Sequence, residues 1–548
     1  MNSALSNLFG GGRTIRLLVC VGLVTLFASS FNVAGCVAGD GDGGGRTHGR
    51  GSVSEQPHRV KATRPNIIVI LADDMGYSDL GCTGAEIHTP NIDDLARNGV
   101  LFTHCYNTSR CCPTRAALLT GQYQWDAGLG HMTSTKSDLP EYSRQLNRSC
   151  ATIAELLERS GYQTFMSGKW HLGDKRDAWP DRRGFQQFYG SPMGGGLYFY
   201  PSKFYNRPLF RNGEAVEPQG EWYSTDAFTD ATTHFLRTER DRDKPFFIYL
   251  AYIAPHFPLQ AKEADIGKYK DTYQAGYEAI RRERFRKQQQ SGLVPTGLEM
   301  PAGAFDWRAV ENQKQEARKM AVYAAQVDCL DQNVGKLMAT LKEEKLHENT
   351  LVLFLSDNGG CSNSFNKTPM VEIGGANSNA AYGKWHNVSN TPYRKAKSQE
   401  HEGGIVTPMV ASWPAGIVRS NRLIHAPIHV MDLMPTFLRL ADVDYPDTFR
   451  GYPLDPLDGI DFWPLVAGEQ NQQGRILYWE HEGNRAVRQG DWKLVSLRKR
   501  NWELYDLSTD PFEQRDLAES HPEKVVEFKR LYRAWTKEHG VQPWPLRK

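Results

Sequence analysis

The run Asn66-Ile67-Ile68-Val69-Ile70-Leu71-Ala72 is followed at once by Asp73-Asp74. An apolar stretch of this length that ends abruptly in charge reads as a strand covered on both faces, as in a largely parallel sheet. The pattern returns downstream. Tyr162-Gln163-Thr164-Phe165-Met166 leads into Lys169-Trp170-His171, and Pro245-Phe246-Phe247-Ile248-Tyr249-Leu250-Ala251-Tyr252 leads into Pro255-His256. Thr350-Leu351-Val352-Leu353-Phe354-Leu355 leads into Asp357-Asn358. Helical signals lie between the runs: Ala151 to Leu157 precedes the second, and Tyr323, Val327, Leu330, Val334, Leu337 and Leu341 trace one helix face before the fourth. Strand and helix in alternation predict an α/β domain whose large, mostly parallel sheet is flanked by helices. In open α/β sheets the ligand site lies beyond the carboxyl ends of the strands, where all of these polar clusters fall.

The clusters have complementary chemistry. Asp73, Asp74, Asp357 and Asn358 are hard oxygen donors, with no Cys or His at zinc-like spacing among them. Such a set suits Ca²⁺, Mg²⁺ or Mn²⁺. Arg115, Lys169, His171, His256 and Lys397 form a cationic set suited to an anion such as sulfate or phosphate.

Composition narrows the class. The 548-residue chain carries 65 Lys plus Arg against 63 Asp plus Glu, a net charge of +2. That balance argues against a protein that binds nucleic acid by neutralising phosphates. A mean hydropathy of −0.54 excludes a multi-span membrane protein. Hydrophobic residues at 40% can build a sizeable core, and 9 cysteines are too few for a disulfide scaffold.

Arg13 and Arg16 precede an apolar stretch from Leu17 to Phe31, followed by Val33-Ala34-Gly35-Cys36. Residues 1–36 therefore read as a secretory signal. Its end is similar to a bacterial lipobox, in which Cys36 would be acylated; an ordinary signal cleaved nearby is the alternative. The expectation is an exported chain, periplasmic or at the cell surface and held to the membrane by lipid alone. Residues 37–63 read as a flexible linker. Their Asp40-Gly41-Asp42-Gly43 opening is no calcium loop, because the closing ligand position falls on Gly51. The pairing of Cys82, Cys105, Cys112, Cys150, Cys329 and Cys361 stays open. A catalytic domain over 64–441 and a smaller one over 442–548 are expected. The second carries strand signals at 475–479, 484–488, 492–495 and near Tyr505, then a helix from about Pro522 to His539.

Residues 111 to 121 read Cys111-Cys112-Pro113-Thr114-Arg115-Ala116-Ala117-Leu118-Leu119-Thr120-Gly121. This segment closely resembles the signature Cys-x-Pro-x-Arg of the type I sulfatases, the formylglycine-dependent, arylsulfatase-like members of the alkaline phosphatase superfamily. Register selects Cys111, since Cys112 would place Thr114 and Ala116 where Pro and Arg belong. The order of the other motifs agrees, from Leu-Ala-Asp-Asp at 71–74 through Pro392-Tyr393-Arg394-Lys395-Ala396-Lys397 to His401-Glu402-Gly403-Gly404. The likeness runs from about residue 65 to the C-terminus, whose strands and helix look like the small antiparallel sheet plus helix of that family.

The resemblance implies that a maturation enzyme oxidises Cys111 to formylglycine. It implies that Asp73, Asp74, Asp357 and Asn358, with residue 111, hold one divalent cation, usually Ca²⁺. A hydroxyl of the hydrated aldehyde, activated by Asp357 and the metal, would attack sulfur. The second hydroxyl, deprotonated by His171, would then expel sulfate, so water need not attack the hindered ester. Arg115 would orient residue 111, Lys169, Lys397 and His256 would grip sulfate, and Lys397 or His256 would protonate the leaving oxygen. Tyr393 and Lys395 depart from the family's usual neighbours of that lysine, and a long Asn- and Ser-rich loop (361–390) precedes it, so Lys395 is the rival of Lys397.

The implied activity is release of sulfate from sulfated carbohydrates or aryl sulfates. A phosphonate or phosphodiester hydrolase of the same superfamily is the alternative enzyme, and a catalytically silent surface glycan-binding protein the alternative of another class. Three further features carry expectations. The basic run Arg281 to Lys287 reads as a solvated helix face. Gly194-Gly195-Gly196 beside Tyr198, Phe199 and Tyr200 reads as a sugar-stacking rim or a plain loop. Trp479, Glu480, His481 and Glu482 are expected at the mouth of the site; His131 is assigned no role.

Overall fold

The computed structural model describes residues 64–201, 207–364, 369, 372–469 and 474–546. The expectations for the signal, for Cys36 and for the linker lie outside the described residues.

One sheet of eleven strands dominates the fold. Its members are β1 (Asn66–Asp73), β2 (Val100–Tyr106), β3 (Gln163–Lys169), β4 (Gln187–Ser191), β5 (Leu209–Arg211), β6 (Glu214–Val216), β7 (Phe246–Pro255), β8 (Thr350–Ser356), β9 (Val406–Ser412), β10 (Arg422–Ile424) and β11 (Ile428–His429). They run in the order β10-β2-β9-β8-β1-β7-β3-β4-β5-β6, with β11 also on β2. The apolar runs read from the sequence are the central neighbours β8-β1-β7-β3, all parallel. Their register sets Ile68 of β1 opposite Ile248 of β7 on one side and Val352 of β8 on the other. β9 is antiparallel to both of its neighbours, as are β5 and β6 at the far end, so the sheet is mixed but mostly parallel.

Every residue of β1, β7 and β8 is buried, which is why their sequences do not alternate. Side chains on successive positions of β1 enter different cores. Ile67, Val69 and Leu71 join the helices Cys111–Thr120, Ile153–Arg159 and Leu433–Ala441, whereas Ile68 and Ile70 face Pro90–Arg97, Ser224–His234 and Gln313–Glu343. The long helix Gln313–Glu343 carries the expected face: Leu330, Val334, Leu337 and Leu341 pack on the sheet, while Tyr323 and Val327 continue into a third cluster. Helix Ile153–Arg159 starts on a reciprocal cap, in which Thr152 Oγ1 accepts from the Glu155 N–H at 3.1 Å and Glu155 Oε2 accepts from the Thr152 N–H at 2.8 Å.

The basic run does not form a uniformly solvated face. Arg282 and Arg286 are exposed, but Arg281 and Arg284 of helix Tyr277–Ser291 are buried. Arg284 bridges Asp79 at 2.7 Å and Glu86 at 2.7 Å. Asp79 in turn accepts from the Gly76 N–H at 2.9 Å and from Tyr323 at 2.6 Å, so the helix pins the turn that follows β1.

Strands Ile476–His481, Asn484–Gln489, Trp492–Ser496 and Glu503–Asp506 pair antiparallel in chain order. Val487, Leu494 and Leu504 of this sheet pack on Val525 and Phe528 of helix Pro522–Glu538. Lys493, fully buried, bridges Glu402 at 2.6 Å and Glu513 at 2.8 Å. After the helix, His539 Nδ1 meets Asp126 Oδ2 at 2.6 Å. All described cysteines are unpaired.

Arg284→Met strips the counter-charge from two acids and is expected to cost about 3–5 kcal/mol in urea unfolding. An unchanged midpoint would show that Arg284 is dispensable. His539 offers a pH-dependent check. Burial opposes its charge, but Asp126 outweighs burial and raises its pKa. A raised histidine contributes fully below the unfolded value of about 6.5, and the contribution fades as pH rises through the folded value. His539→Gln should therefore lower the urea midpoint at pH 5.5 and progressively less at higher pH.

Candidate active site

Because β1 and β8 are parallel neighbours, their carboxyl ends lie side by side. Asp73 closes β1, and Asp74 follows with a left-handed backbone, φ 68°. That turn lets the Asp74 N–H donate to Asp357 Oδ1 at 3.2 Å, while Asn358 Nδ2 donates to Asp74 Oδ1 at 2.8 Å. Asp73 Oδ1, Asp74 Oδ2 and Asn358 Oδ1 remain buried with no hydrogen-bond partner among the described residues. Buried oxygens left unpaired are costly. Oxygens of this hardness, from neighbouring residues, are what an alkaline-earth cation takes up.

The segment 111–121 is a helix, Cys111–Thr120, closed by Gly121 with φ 71°, which explains the Thr-Gly end of the motif. Cys111 heads it at 2% exposure. One turn on, Arg115 donates through Nε and Nη2 to Asp357 Oδ2 at 3.0 and 2.8 Å, and through Nη1 to the Lys169 carbonyl at 2.8 Å. Lys169 ends β3 and meets Asp73 Oδ2 at 2.5 Å. Lys397 pairs with Asp74 Oδ1. His256, just after β7, holds Nδ1 against the Phe257 carbonyl at 2.5 Å and sets Nε2 3.6 Å from Asp74 Oδ2. Asp73, Asp74 and His256 each present a ligand atom within 4.8 Å of the others.

A cavity of about 390 Å³ opens onto Cys111, lined also by Lys169, His171, His256, Lys397 and Arg110. Burial alone would raise Asp73, but Lys169, His256 and Arg115 overcome it and drive it well down. Burial likewise raises Asp74, and Lys397 and His256 bring it below its usual value. Burial, reinforced by Asp73, pushes Asp357 up against the pull of Arg115 and Lys169. The Cys111 thiol is lowered because Lys169 and Lys397 outweigh its burial. Burial, with the charges of Lys169 and Arg115, keeps His171 well below its usual value, so its imidazole is neutral at neutral pH.

A family model described as Sulfatase matches residues 65–443, and one described as N-sulphoglucosamine sulphohydrolase, C-terminal, matches residues 396–535. The chain belongs to the sulfatase family. It is a sulfuric ester hydrolase of the alkaline phosphatase superfamily, and its fold is the one that the family shares. An uncharacterized sulfatase of Schizosaccharomyces pombe is 34% identical over 536 residues, covering 89% of this chain and 96% of that one. The arylsulfatase of Klebsiella aerogenes is 34% identical over 429 residues, covering 74% of this chain and 92% of that one. Among solved structures, Ps i-CgsB in complex with k-i-k-neocarrahexaose is similar with a TM-score of 0.65 and 29% identity, over 86% of this chain and 93% of that one.

The sulfatase thus brings together the side chains expected to carry catalysis and metal binding: Asp73, Asp74, Cys111, Arg115, Lys169, His171, His256, Asp357, Asn358 and Lys397. Lys397 is 6% exposed and ion-paired within the cluster, whereas its rival Lys395 is partly exposed outside it. The expected mouth is corrected. Trp479 is buried and donates to the Asn107 carbonyl at 2.7 Å, Glu480 is buried, and none of 479–482 lines the cavity. Tyr198 is no stacking platform either: it is buried, and its hydroxyl donates to the His256 carbonyl at 2.6 Å. Several lining residues went unread, Arg110 and Gly194 among them. Arg110 was hidden by adjacency to the cysteine motif, and Gly194 was noted only as part of a glycine run.

Gly194 has a specific reason to be glycine. A Cβ there would lie 2.2 Å from Cε1 and Nε2 of His171. Gly194→Ala must displace that ring, and a shift on the order of 1 Å costs about 10²-fold in rate. Sulfate-ester turnover should fall by about that factor while the melting temperature changes little; wild-type turnover would show that the ring's place is not critical.

Proposed function

We propose that this sulfatase removes sulfate from sulfated carbohydrates, with Cys111 matured to formylglycine and one Ca²⁺ held by Asp73, Asp74, Asp357 and Asn358. The observation that carries this reading is Cys111 at the cavity floor, flanked by the charges of Lys169 and Lys397 and adjoining the acid cluster. When bound, the cation supplies Lewis acidity to groups beside residue 111. Formylglycine, in its hydrated form, supplies two hydroxyls on one carbon.

The chain's own groups do the rest. Arg115 fixes Asp357 by its two-pronged contact and ties it to the end of β3. Lys169, Lys397 and His256 surround the place of the sulfate oxygens, where the positive charge of the two lysines stabilises the developing anion; burial lowers His256, which acts there through its ring nitrogen. His171, held neutral, accepts a proton from a hydroxyl at position 111. His256 donates Nδ1–H to the Phe257 carbonyl, leaving Nε2 to act toward the site. Lys397 or His256 protonates the leaving oxygen.

The carbohydrate part is supported by the neighbour solved with neocarrahexaose. An exported, lipid-anchored placement rests on the sequence of residues 13–36 and suits a polymer met outside the cell.

The matured protein is expected to release sulfate from 4-nitrophenyl sulfate faster than it cleaves a phosphate diester or a phosphonate ester. Cys111→Ala should lower sulfate release by on the order of 10⁴-fold or more without lowering the melting temperature. Dominant activity on phosphorus esters, or a variant as active as the wild type, would overturn the reading.

A further inference from the structure

Arg110 stands apart from the other cations beside Cys111. Arg115 lies on Asp357, Lys169 on Asp73 and Lys397 on Asp74. Arg110 has no carboxylate within ion-pair distance among the described residues. Its Nη1 donates to Ser398 Oγ at 2.6 Å, and its Nε points at the Met132 sulfur at 3.4 Å, a weak acceptor. A guanidinium offers five N–H groups in a rigid fork matched to carboxylate and sulfate oxygens, and most of that fork has no acceptor among the described residues.

The surroundings keep it so. The acid nearest in charge from the C-terminal sheet, Glu482, is held by His131 Nε2 at 3.2 Å. His131 is clamped between two rings: Trp544 at 4.5 Å and 13° on one side, His481 at 4.7 Å and 10° on the other. His481 is 1% exposed, and neither ring nitrogen has a hydrogen-bond partner. Burial pushes it well below its usual value, and the charges of Arg110, His131 and Lys397 add to that. The imidazole of His481 is therefore neutral and adds no second positive charge beside Arg110. Thr133, Ser134, Asp174 and Asn363 line the same cavity.

A half-buried cation, with no carboxylate at ion-pair distance among the described residues and opening into a substrate cavity, is suited to an anion from the substrate. The scissile sulfate already has Lys169, Lys397 and His256. We propose that Arg110 is the head of a second anion subsite beside the sulfate pocket, and that it selects substrates with a further negative group, sulfate or carboxylate, next to the ester that is cut. This deepens the hydrolase reading above and rests on it: the substrate class narrows from sulfated carbohydrate to locally polyanionic carbohydrate.

The test compares two chromogenic esters, 4-nitrophenyl sulfate and 2-carboxy-4-nitrophenyl sulfate, which differ by one anionic group beside the ester. The quantity read is the ratio of their kcat/KM values, in the wild type, in Arg110→Gln and in Arg110→Lys. Intrinsic reactivity and folded fraction cancel when this ratio is compared between proteins. The ratio should fall on the order of tenfold to a hundredfold in Arg110→Gln, chiefly through KM of the carboxylated ester, and be restored in part by Arg110→Lys. A ratio unchanged across the three proteins would overturn the subsite while leaving the hydrolase reading intact. No sulfate from either ester in the wild type would overturn the hydrolase reading, and the subsite with it.

Discussion

Three carboxylates, Asp73, Asp74 and Asp357, lie together at near-zero exposure, and no fold could keep them ionised there unaided. Lys169 and Lys397 hold Asp73 and Asp74 below their usual range, whereas Arg115 lies on Asp357 without overcoming the burial that raises it. This mutual neutralisation dictates much of the architecture. Each partner must arrive from a different strand end or loop, at a separation of a few ångströms, so strand order and register are constrained by charge as well as by packing. The same arrangement leaves Asp73 Oδ1, Asp74 Oδ2 and Asn358 Oδ1 as unused donors, which is where a hard cation fits.

Elements far from the cavity brace this cluster. Arg284 anchors Asp79, and with it the turn that carries Asp74 out of β1. The C-terminal sheet steadies the segment that delivers Lys397: His401 meets Glu503 at 3.1 Å, Glu402 meets Lys493 at 2.6 Å, and Arg394 reaches Tyr505 at 3.1 Å. Its contribution to the site is made through these loop contacts, since Trp479 and Glu480 face inward.

The central strands were legible because double-sided burial leaves an unbroken apolar signature, and the polar residues after them because strand ends are where such sheets bind ligands. The choice of Cys111 over Cys112 followed from the register of Pro113 and Arg115, whereas the helix Cys111–Thr120 was not read from the sequence. Other features had no local signal. β2 and β9 pair antiparallel through contacts distant in sequence, and β2 includes Thr103 and His104 among its apolar residues. The inward turn of Arg284 depends on Asp79 and Glu86, roughly two hundred positions away, so the run looked solvated. Likewise, the stack of His131, His481 and Trp544, in which His131 holds Glu482, is assembled only by the tertiary structure.

The side chains around the cavity come from stretches as far apart as Asp73 and Lys397, joined through the centre of an eleven-stranded sheet. Parallel pairing of this kind closes long loops before any contact rewards them, which makes assembly slow and strongly cooperative. No fragment of the polypeptide short of the whole sheet can therefore hold a working centre. Catalytic competence therefore waits on completion of the sheet, and intermediates that precede it leave apolar segments open to self-association.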